Sequence, residues 1–554
     1  MDPVIDPLQI ATSFQHVWNS WLQHSEEMKQ KITDLAARNE ELTKEVWQQT
    51  VSPDNTAGNN GREKTELMDY VRSNASIARK YYALYSSWFK NFVETVPGLG
   101  ESERRRAIFW TNQLLNALAP ANFFWSNPGA VQKFLETNGV SLSFGFINWL
   151  EDVIRGDNLM KIADNTAFQV GKNIATTPGY VIYRNELIEL IQYKPATDDT
   201  YAVPVVFVQP WVNKFYIFDL TEQSSFVRYL INQGFTVFIV SWKNPTPEMS
   251  TTSFDDYMIK GAIKAMEVAR EICNASPVHA AGYCIGGTVL AVSMAWLNKT
   301  WKDNTSFPVA DWSVFSTLVD YTDAGEIGVF ISESAIEFIE SLMKSSGGYL
   351  DSKYISQTFR LLRSDSLVWR NYVHNYLYGG TPPKSDMLFW NADSTRLPEA
   401  MCSYFLRDLY LRNKLARKDE AVLGGCPIDL GCIKQPLFAV GAQQDHISPW
   451  RSAFQICKLV NCRKRFTLTS EGHITGIVNP PSEYSRKKYW IGDIEDNIEP
   501  DAWQAAHPEK RGSWWPEWLS WLAERSGPLG RPPAMGGKKY PQLAKAPGTY
   551  VFEE

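Results

Sequence analysis

Several features are scarce in this chain. Its seven cysteines (273, 284, 402, 426, 432, 457 and 462) form no CxxC pair, and no histidine stands at finger spacing from them. That spacing argues against a zinc site. An odd number of cysteines in a long chain implies no disulfide framework, so a reducing cytoplasm is the expected compartment. No run approaches the ~18 consecutive apolar residues of a membrane span. The opening MDPVIDP carries acids where a secretory signal needs a basic region and then an apolar one. Basic charge is not in excess. The 55 Lys+Arg against 61 Asp+Glu leave a net charge of −6 and a pI near 5.8, which argues against nucleic acid as a partner.

The bulk composition is otherwise ordinary. The 554 residues are 44% hydrophobic and 21% charged, which excludes global disorder. Length implies roughly two to four structural units. The excess is aromatic, with 21 Trp, 24 Tyr and 28 Phe. This implies an aromatic interior or apolar surfaces made for contact.

Residues 12–50 lack Gly and Pro and read as one long helix. Phe14, Trp18, Trp21, Met28, Ile32, Leu35, Leu42 and Val46 repeat at alternating spacings of four and three, with Ser25 and Asn39 filling the gaps. That is a heptad seam. Two readings stand open: an amphipathic helix packed on its own domain, or a coiled-coil arm for a partner or second copy, with Asn39 tuning register. The stretch 51–64 is a linker, so residues 1–64 form one segment. Helices are expected over 67–94, 101–118 and 128–138, with a break at 119–128, and helical character to about 178. Residues 65–178 are thus an N-terminal helical domain. The two histidines before residue 178, His16 and His24, lie on the heptad helix.

From Gly179 the pattern alternates strand and helix. Residues 179–193 suggest a hairpin. Strands follow at 204–211, 236–242, 278–284, 312–321, 436–442 and 465–470, with helices at about 221–233, 253–274 and 285–298. Such alternation indicates a mainly parallel sheet flanked by helices. Residues 322–435 form a mostly helical insertion, placed as a cap where such sheets bind ligands. The catalytic domain is 179–554.

Gly282-Tyr283-Cys284-Ile285-Gly286-Gly287 has the form G-x-C-x-G between a strand and a helix. This is the nucleophile elbow of the α/β-hydrolase fold with Cys for Ser. The turn is sharp, so residues two either side must be small, and the following helix aims free N–H groups at the thiol. A buried structural cysteine beside a glycine-rich turn is the plainer alternative. The fold places an acid after strand 436–442, where Asp445 stands, and a histidine after the next strand, where His473 stands. His374 lies inside the cap, and His507 lies beyond the sheet. His446 can line the pocket but cannot replace a histidine on the neighbouring loop. The expected triad is Cys284–Asp445–His473. The oxyanion hole then uses the backbone N–H of Ile285 and one from the loop Gln209–Asn213, assigned to Val212. A cysteine at an elbow suits acyl transfer from a thioester, since the enzyme-bound acyl group stays activated for a hydroxyl to take. No metal or separate cofactor is expected.

A family resemblance rests on LAPANFFWSNP, TPGYVIYRNELIELIQY, QPWVNKFYIFDL, FIVSWKNP, GYCIGGT, LLRSDSLVW, LFWNADSTRLP, DHISPW, GHITGIVNPP and GSWWPEW. From about residue 80 onward the chain resembles the polyhydroxyalkanoate synthases. The resemblance implies an (R)-3-hydroxyacyl-CoA substrate, a polyester product and release of CoA. It implies that Cys284 carries the acyl group, that His473 deprotonates it, and that Asp445 supports His473 or activates the incoming hydroxyl. Trp390 in LFWN and Arg363 in LLRSDSLVW match positions near the family's active site; cap packing and a salt bridge are their plainer readings. Length, and LRDLYLRNKL, resemble the single-subunit class I enzymes, which prefer short monomers. A homodimer and attachment to the polyester granule are implied, with Trp514, Trp515, Trp518 and Trp521 either packed inside or exposed as an anchor. The first 65 residues match no family pattern. Two other readings compete: a cysteine hydrolase or thioesterase, since dienelactone hydrolases have a similar elbow, and a non-catalytic granule-surface scaffold.

Overall fold

The computed structural model describes residues 6–51, 62–156, 159–275, 277–302, 307–495 and 497–554. The chain divides into two compact units, Met1–Asp164 with Ser356–Lys384, and Asn165–Ile355 with Ser385–Glu554. This differs from the expected boundary at 178/179. It also splits the expected cap, because the middle of the 322–435 insertion belongs to the helical unit.

The helical unit contains α1 (Ile10–Gln23), α2 (Ser25–Val51), α3 (Arg62–Glu94), α4 (Glu101–Leu118), α5 (Pro128–Glu136) and α6 (Val140–Arg155). The expected single helix over 12–50 is broken at His24, whose backbone leaves the helical region. Packing accounts for the break. Trp21 is wholly buried, stacks on Phe92 at 4.9 Å and donates its indole N–H to the Phe92 carbonyl. Helix α2 packs along α3, with the seam residue Asn39 engaged within the chain and Ile32 47% exposed. Tyr85 donates to Asn39, Lys31 to Asn91, and Trp88 to the Lys31 carbonyl, all from α3 to α2 or the reverse. The linker over 52–61 lies outside the described residues. Helix ends at Arg155, where Gly156 caps it in the left-handed region, and 159–178 is irregular rather than helical.

Helix α6 is inside out. Its buried residues are Ser141, Gly145 and Asp152, while Phe144, Phe146, Ile147, Trp149, Val153 and Ile154 are exposed. The small and polar face docks on the insertion segment. Asn148 donates to the carbonyls of Asn375 and Gly380, and Tyr376 donates to Asp152. A side chain at Gly145 would sit 1.9 Å from the Tyr376 carbonyl oxygen.

The second unit is built on an eleven-stranded sheet. Its strands are β1 (Gly179–Arg184), β2 (Ile188–Tyr193), β3 (Val205–Val208), β4 (Val237–Trp242), β5 (Val278–Tyr283), β6 (Val309–Phe315), β7 (Leu437–Ala442), β8 (Lys464–Thr469), β9 (Lys488–Asp493), β10 (Lys510–Arg511) and β11 (Ala544–Lys545). The order is β10-β9-β8-β7-β6-β5-β3-β4-β2-β1-β11. The six strands from β8 to β4 run parallel, and the rest pair antiparallel. Strands β3, β4, β5 and β7 are buried along their whole length, as expected of parallel strands covered on both faces. Strand β6 ends at Phe315 rather than 321, because Ser316 turns the chain with φ 45°.

Helices α7 (Phe226–Asn232), α8 (Ile285–Thr300), α9 (Asp386–Ala392) and α10 (Trp515–Ala523) serve the argument below. The exposed-anchor reading of the tryptophans is corrected here. Trp514, Trp515, Trp518 and Trp521 are wholly buried, with Trp515 stacked on Phe226 at 4.1 Å. They form the aromatic core beneath the sheet. This unit is an α/β-hydrolase fold. Among the described residues no helix is long and apolar enough to cross a membrane.

Candidate active site

Strand β5 runs straight into the elbow. Cys284 adopts φ 53° and ψ −127°, a region that costs a non-glycine residue about 1–3 kcal/mol. The strain is held from both sides. The Cys284 N–H donates to the Phe315 carbonyl at 2.9 Å, and its carbonyl accepts from Gly287 N and from Thr317 Oγ1. The two flanking glycines are demanded by contact. A Cβ on Gly282 would lie 2.5 Å from Gly287 Cα, and one on Gly286 would lie 2.3 Å from the Val208 carbonyl oxygen. The half-buried thiol therefore stands at the N-terminus of α8, where helix N–H groups favour negative charge.

Asp445 and His473 emerge from the loops after β7 and β8. Asp445 Oδ2 accepts from His473 Nδ1 at 2.7 Å, and Oδ1 accepts from the N–H groups of Ile447 and Ser448. The carboxylate is fully buried. Burial alone would lower the His473 pKa. The negative charges of Asp445 and Cys284, with the hydrogen bond to Asp445, outweigh burial and hold it up, at about 10. A carboxylate and an imidazole are thus hydrogen-bonded to each other, and the charge of the Cys284 sulfur acts on the same ring. Such an arrangement can carry the proton of a thiol to a leaving group while the thiolate attacks a carbonyl.

The His473 loop is braced from below. Tyr283 donates to the His473 carbonyl at 3.1 Å, its ring 5.2 Å from the imidazole. Trp514 and Trp515 donate to the carbonyls of Gly476 and Ile477. The aromatic core therefore positions the histidine.

The remaining expected residues separate. Ile285 opens α8, and the loop carrying Val212 starts where β3 touches Gly286. Trp390 is buried on α9 and donates to the Lys214 carbonyl at 2.7 Å, so it packs the loop rather than facing solvent. Arg363 belongs to the helical unit, where its backbone caps the turns that follow. His446 offers its carbonyl to Glu326 N at 3.0 Å beside Asp445. His374 lies in the helical unit, and His507 packs over Gly492 at the sheet edge with Nδ1 bonded to the Trp503 carbonyl.

Two residues escaped the sequence reading. Tyr321 is buried with its hydroxyl 3.4 Å from Thr288 Oγ1, in the first turn of α8, and the Tyr410 ring lies tilted against it, centroids 4.5 Å apart. Burial first, then Tyr321 and the Cys284 thiol, holds the Tyr410 phenol well above its ordinary range. Tyr321 ends the expected strand 312–321 and Tyr410 lies in the insertion, and no motif in the sequence marks either.

Comparison with known proteins agrees along the chain. Residues 70–230 match the family model described as "Poly-beta-hydroxybutyrate polymerase (PhaC) N-terminus". The "Poly(3-hydroxyalkanoate) polymerase subunit PhaC" of Cupriavidus necator is 37% identical over 479 residues, 86% of this chain and 80% of that protein. The "Poly(3-hydroxyalkanoate) polymerase" of Methylorubrum extorquens is 39% identical over 479 residues, 86% of this chain and 78% of its own. The PhaC subunit of Rhizobium meliloti is 35% identical over 88% of this chain and 78% of its own. With an elbow cysteine on an α/β-hydrolase sheet and relatives this similar over most of its length, the chain belongs to the poly(3-hydroxyalkanoate) polymerases, enzymes of the acyltransferase type.

Proposed function

We propose that this enzyme polymerises (R)-3-hydroxyacyl-CoA thioesters through an acyl group carried on Cys284. The observation that carries the reading is the strained cysteine at the head of α8, together with the hydrogen-bonded His473–Asp445 pair on the loops after β7 and β8. The Cys284 thiolate attacks the thioester carbonyl. The resulting oxyanion lies toward the N–H groups of Ile285 and Val212. His473 gives its proton to the CoA sulfur, the carbon–sulfur bond breaks, and CoA leaves. A 3-hydroxyl then gives its proton to His473 and attacks the Cys284 thioester. An ester bond forms and the thiolate returns. Asp445 keeps Nδ1–H oriented throughout.

A water-insoluble product needs an apolar landing surface, and α6 supports one. Its outward face carries large apolar side chains, and no charged residue occurs from Val140 to Leu150. We assign this face to the polyester granule. Replacing Phe146 and Ile154 by Asp should release the enzyme from polymer particles in a sedimentation assay while leaving CoA release intact; unchanged sedimentation contradicts the assignment.

The deciding assay is CoA release from (R)-3-hydroxybutyryl-CoA with the organic product sized in parallel. Thiol release with high-molecular-weight polyester is expected. Free 3-hydroxybutyrate alone would make the enzyme a thioesterase, and an inert protein that still coats granules would make it a scaffold.

A further inference from the structure

Lys214 takes no part in the relay, yet it directly follows the loop that carries Val212 and its side chain is buried. The residue is 5% exposed. Its Nζ donates to the Glu553 carbonyl at 2.5 Å, and Asn244 Nδ2 donates to the same oxygen at 3.3 Å. Burial lowers the ammonium's pKa, and the nearby Asp393 carboxylate opposes that. Asp393 is itself fixed by the Tyr216 hydroxyl at 2.6 Å.

The rest of the loop is clamped to the chain just beyond α9. Thr395 N donates to the Val212 carbonyl at 3.1 Å, Trp390 Nε1 donates to the Lys214 carbonyl, and Thr395 Oγ1 donates to the Trp211 carbonyl. This last bond sets a direction. In a trans peptide the N–H points opposite to the preceding C=O. With the Trp211 carbonyl held on Thr395, the Val212 N–H must face the other way.

Residues 549–553 are anchored in turn. The carboxylate of Glu189, wholly buried on β2, accepts from Thr549 N at 2.8 Å and Tyr550 N at 3.0 Å. Its other oxygen accepts from Arg184 Nε and Thr549 Oγ1, both at 2.8 Å. A continuous line of contacts therefore runs from Glu189, through residues 549–553, to Lys214 and the loop.

We infer that Lys214, held by the Glu553 carbonyl, is a positioning residue for the Val212 amide, so that residues 549–553 form part of the oxyanion-hole scaffold. This rests on the reading above that Val212 N–H receives the oxyanion. The oxyanion exists only after attack, so a misplaced amide lowers kcat and spares KM.

The test uses the full chain with (R)-3-hydroxybutyryl-CoA. Lys214→Met should lower kcat by about 10–100-fold, given that losing one such donor outright costs about 100–1,000-fold, with KM unchanged. Glu189→Gln, which loosens the same segment from its other end, should lower kcat with KM unchanged. The double variant should lose less than the product of the two single effects. Hydrogen–deuterium exchange of peptides covering 209–214 should rise in both single variants. A folded Lys214→Met enzyme with full kcat, or one impaired through KM alone, overturns the inference. If Lys214→Met does not fold, full kcat in Glu189→Gln overturns it instead. If the wild type releases no CoA, the functional reading fails, and unchanged exchange over 209–214 in both variants would separately overturn the coupling.

Discussion

His473 and His279 hold their carboxylates alike. His473 Nδ1 lies 2.7 Å from Asp445 Oδ2, and His279 Nδ1 lies 2.7 Å from Asp311 Oδ2. The second pair even has a hydroxyl on its other nitrogen, with Nε2 2.9 Å from Ser526 Oγ. By side chains alone, Ser526–His279–Asp311 resembles a hydrolase triad. Its setting differs in every respect that chemistry needs. His279 is the second residue of β5, whereas Cys284 follows that strand's last residue. Parallel sheets bind ligands at the carboxyl ends of their strands, so the same strand has a structural end and a reactive end. Ser526 is fully buried just beyond α10 and gives its proton to the Leu522 carbonyl at 2.7 Å. It follows the C-terminal end of α10 rather than standing at a helix N-terminus, and it is not among the residues with positive φ. The difference teaches that backbone is what sets Cys284 apart under the proposed mechanism, and that an aligned histidine and carboxylate can equally serve as a clamp between α10 and the sheet.

Substitution should separate the two constellations sharply. Cys284→Ala should reduce CoA release at least about 1,000-fold, the order lost with a triad member, while Ser526→Ala keeps the rate per folded molecule within a factor of two; initial thiol-release rates check both. Equal losses would erase the distinction. The next largest effect is on stability. His279→Leu leaves Asp311 unpaired in the core and should cost about 3–5 kcal/mol, read by urea unfolding, with activity retained in the folded fraction. His473→Gln should instead abolish activity even in the folded fraction, where His279→Leu retains it.

A smaller effect concerns the brace beneath His473. Trp515→Phe removes the bond from its indole N–H to the Ile477 carbonyl. It should cost about 1 kcal/mol and lower kcat several-fold by loosening the loop. Normal kcat in this variant would deny the core a positioning role.

The smallest effect is on pH dependence. The His473 pKa is raised to about 10, against about 6.5 for an unperturbed histidine. A raised folded-state value means the stabilisation is complete below about pH 6.5 and is lost as pH climbs through about 10. CoA release should fall over the same alkaline range, because the imidazolium supplies the leaving proton. Asp445→Asn should move that alkaline limb to lower pH, and a pH–kcat profile shows whether it does.

Much of the sheet unit is legible in the sequence, because buried parallel strands read as unbroken apolar runs such as VVFV in β3 and VFIVSW in β4. The elbow is legible because sterics restrict two positions to glycine. Asp445 and His473 follow from strand order alone. What escaped depends on tertiary contact. The break at His24 is set by Trp21 finding Phe92, and no Gly or Pro marks it. The transfer of Ser356–Lys384 to the helical unit rests on bonds such as Gln113 to the Leu361 carbonyl, which join residues 248 positions apart. The inversion of α6 is hidden because periodicity reveals an apolar face but not whether that face points inward. His279 was overlooked because it precedes the nucleophile, so the chain order of a triad never brought it into view.

The measurement that bears most directly on Cys284 is a rapid quench of the enzyme with (R)-3-hydroxybutyryl-CoA, followed by mass spectrometry of the peptide containing residues 278–299. A 3-hydroxybutyryl thioester, or longer oligomers of it, on Cys284 in the wild type and its absence in Cys284→Ala is the expected result. CoA release and polymer formation with no acyl group ever found on Cys284, or with undiminished activity in Cys284→Ala, would contradict a covalent cysteine mechanism.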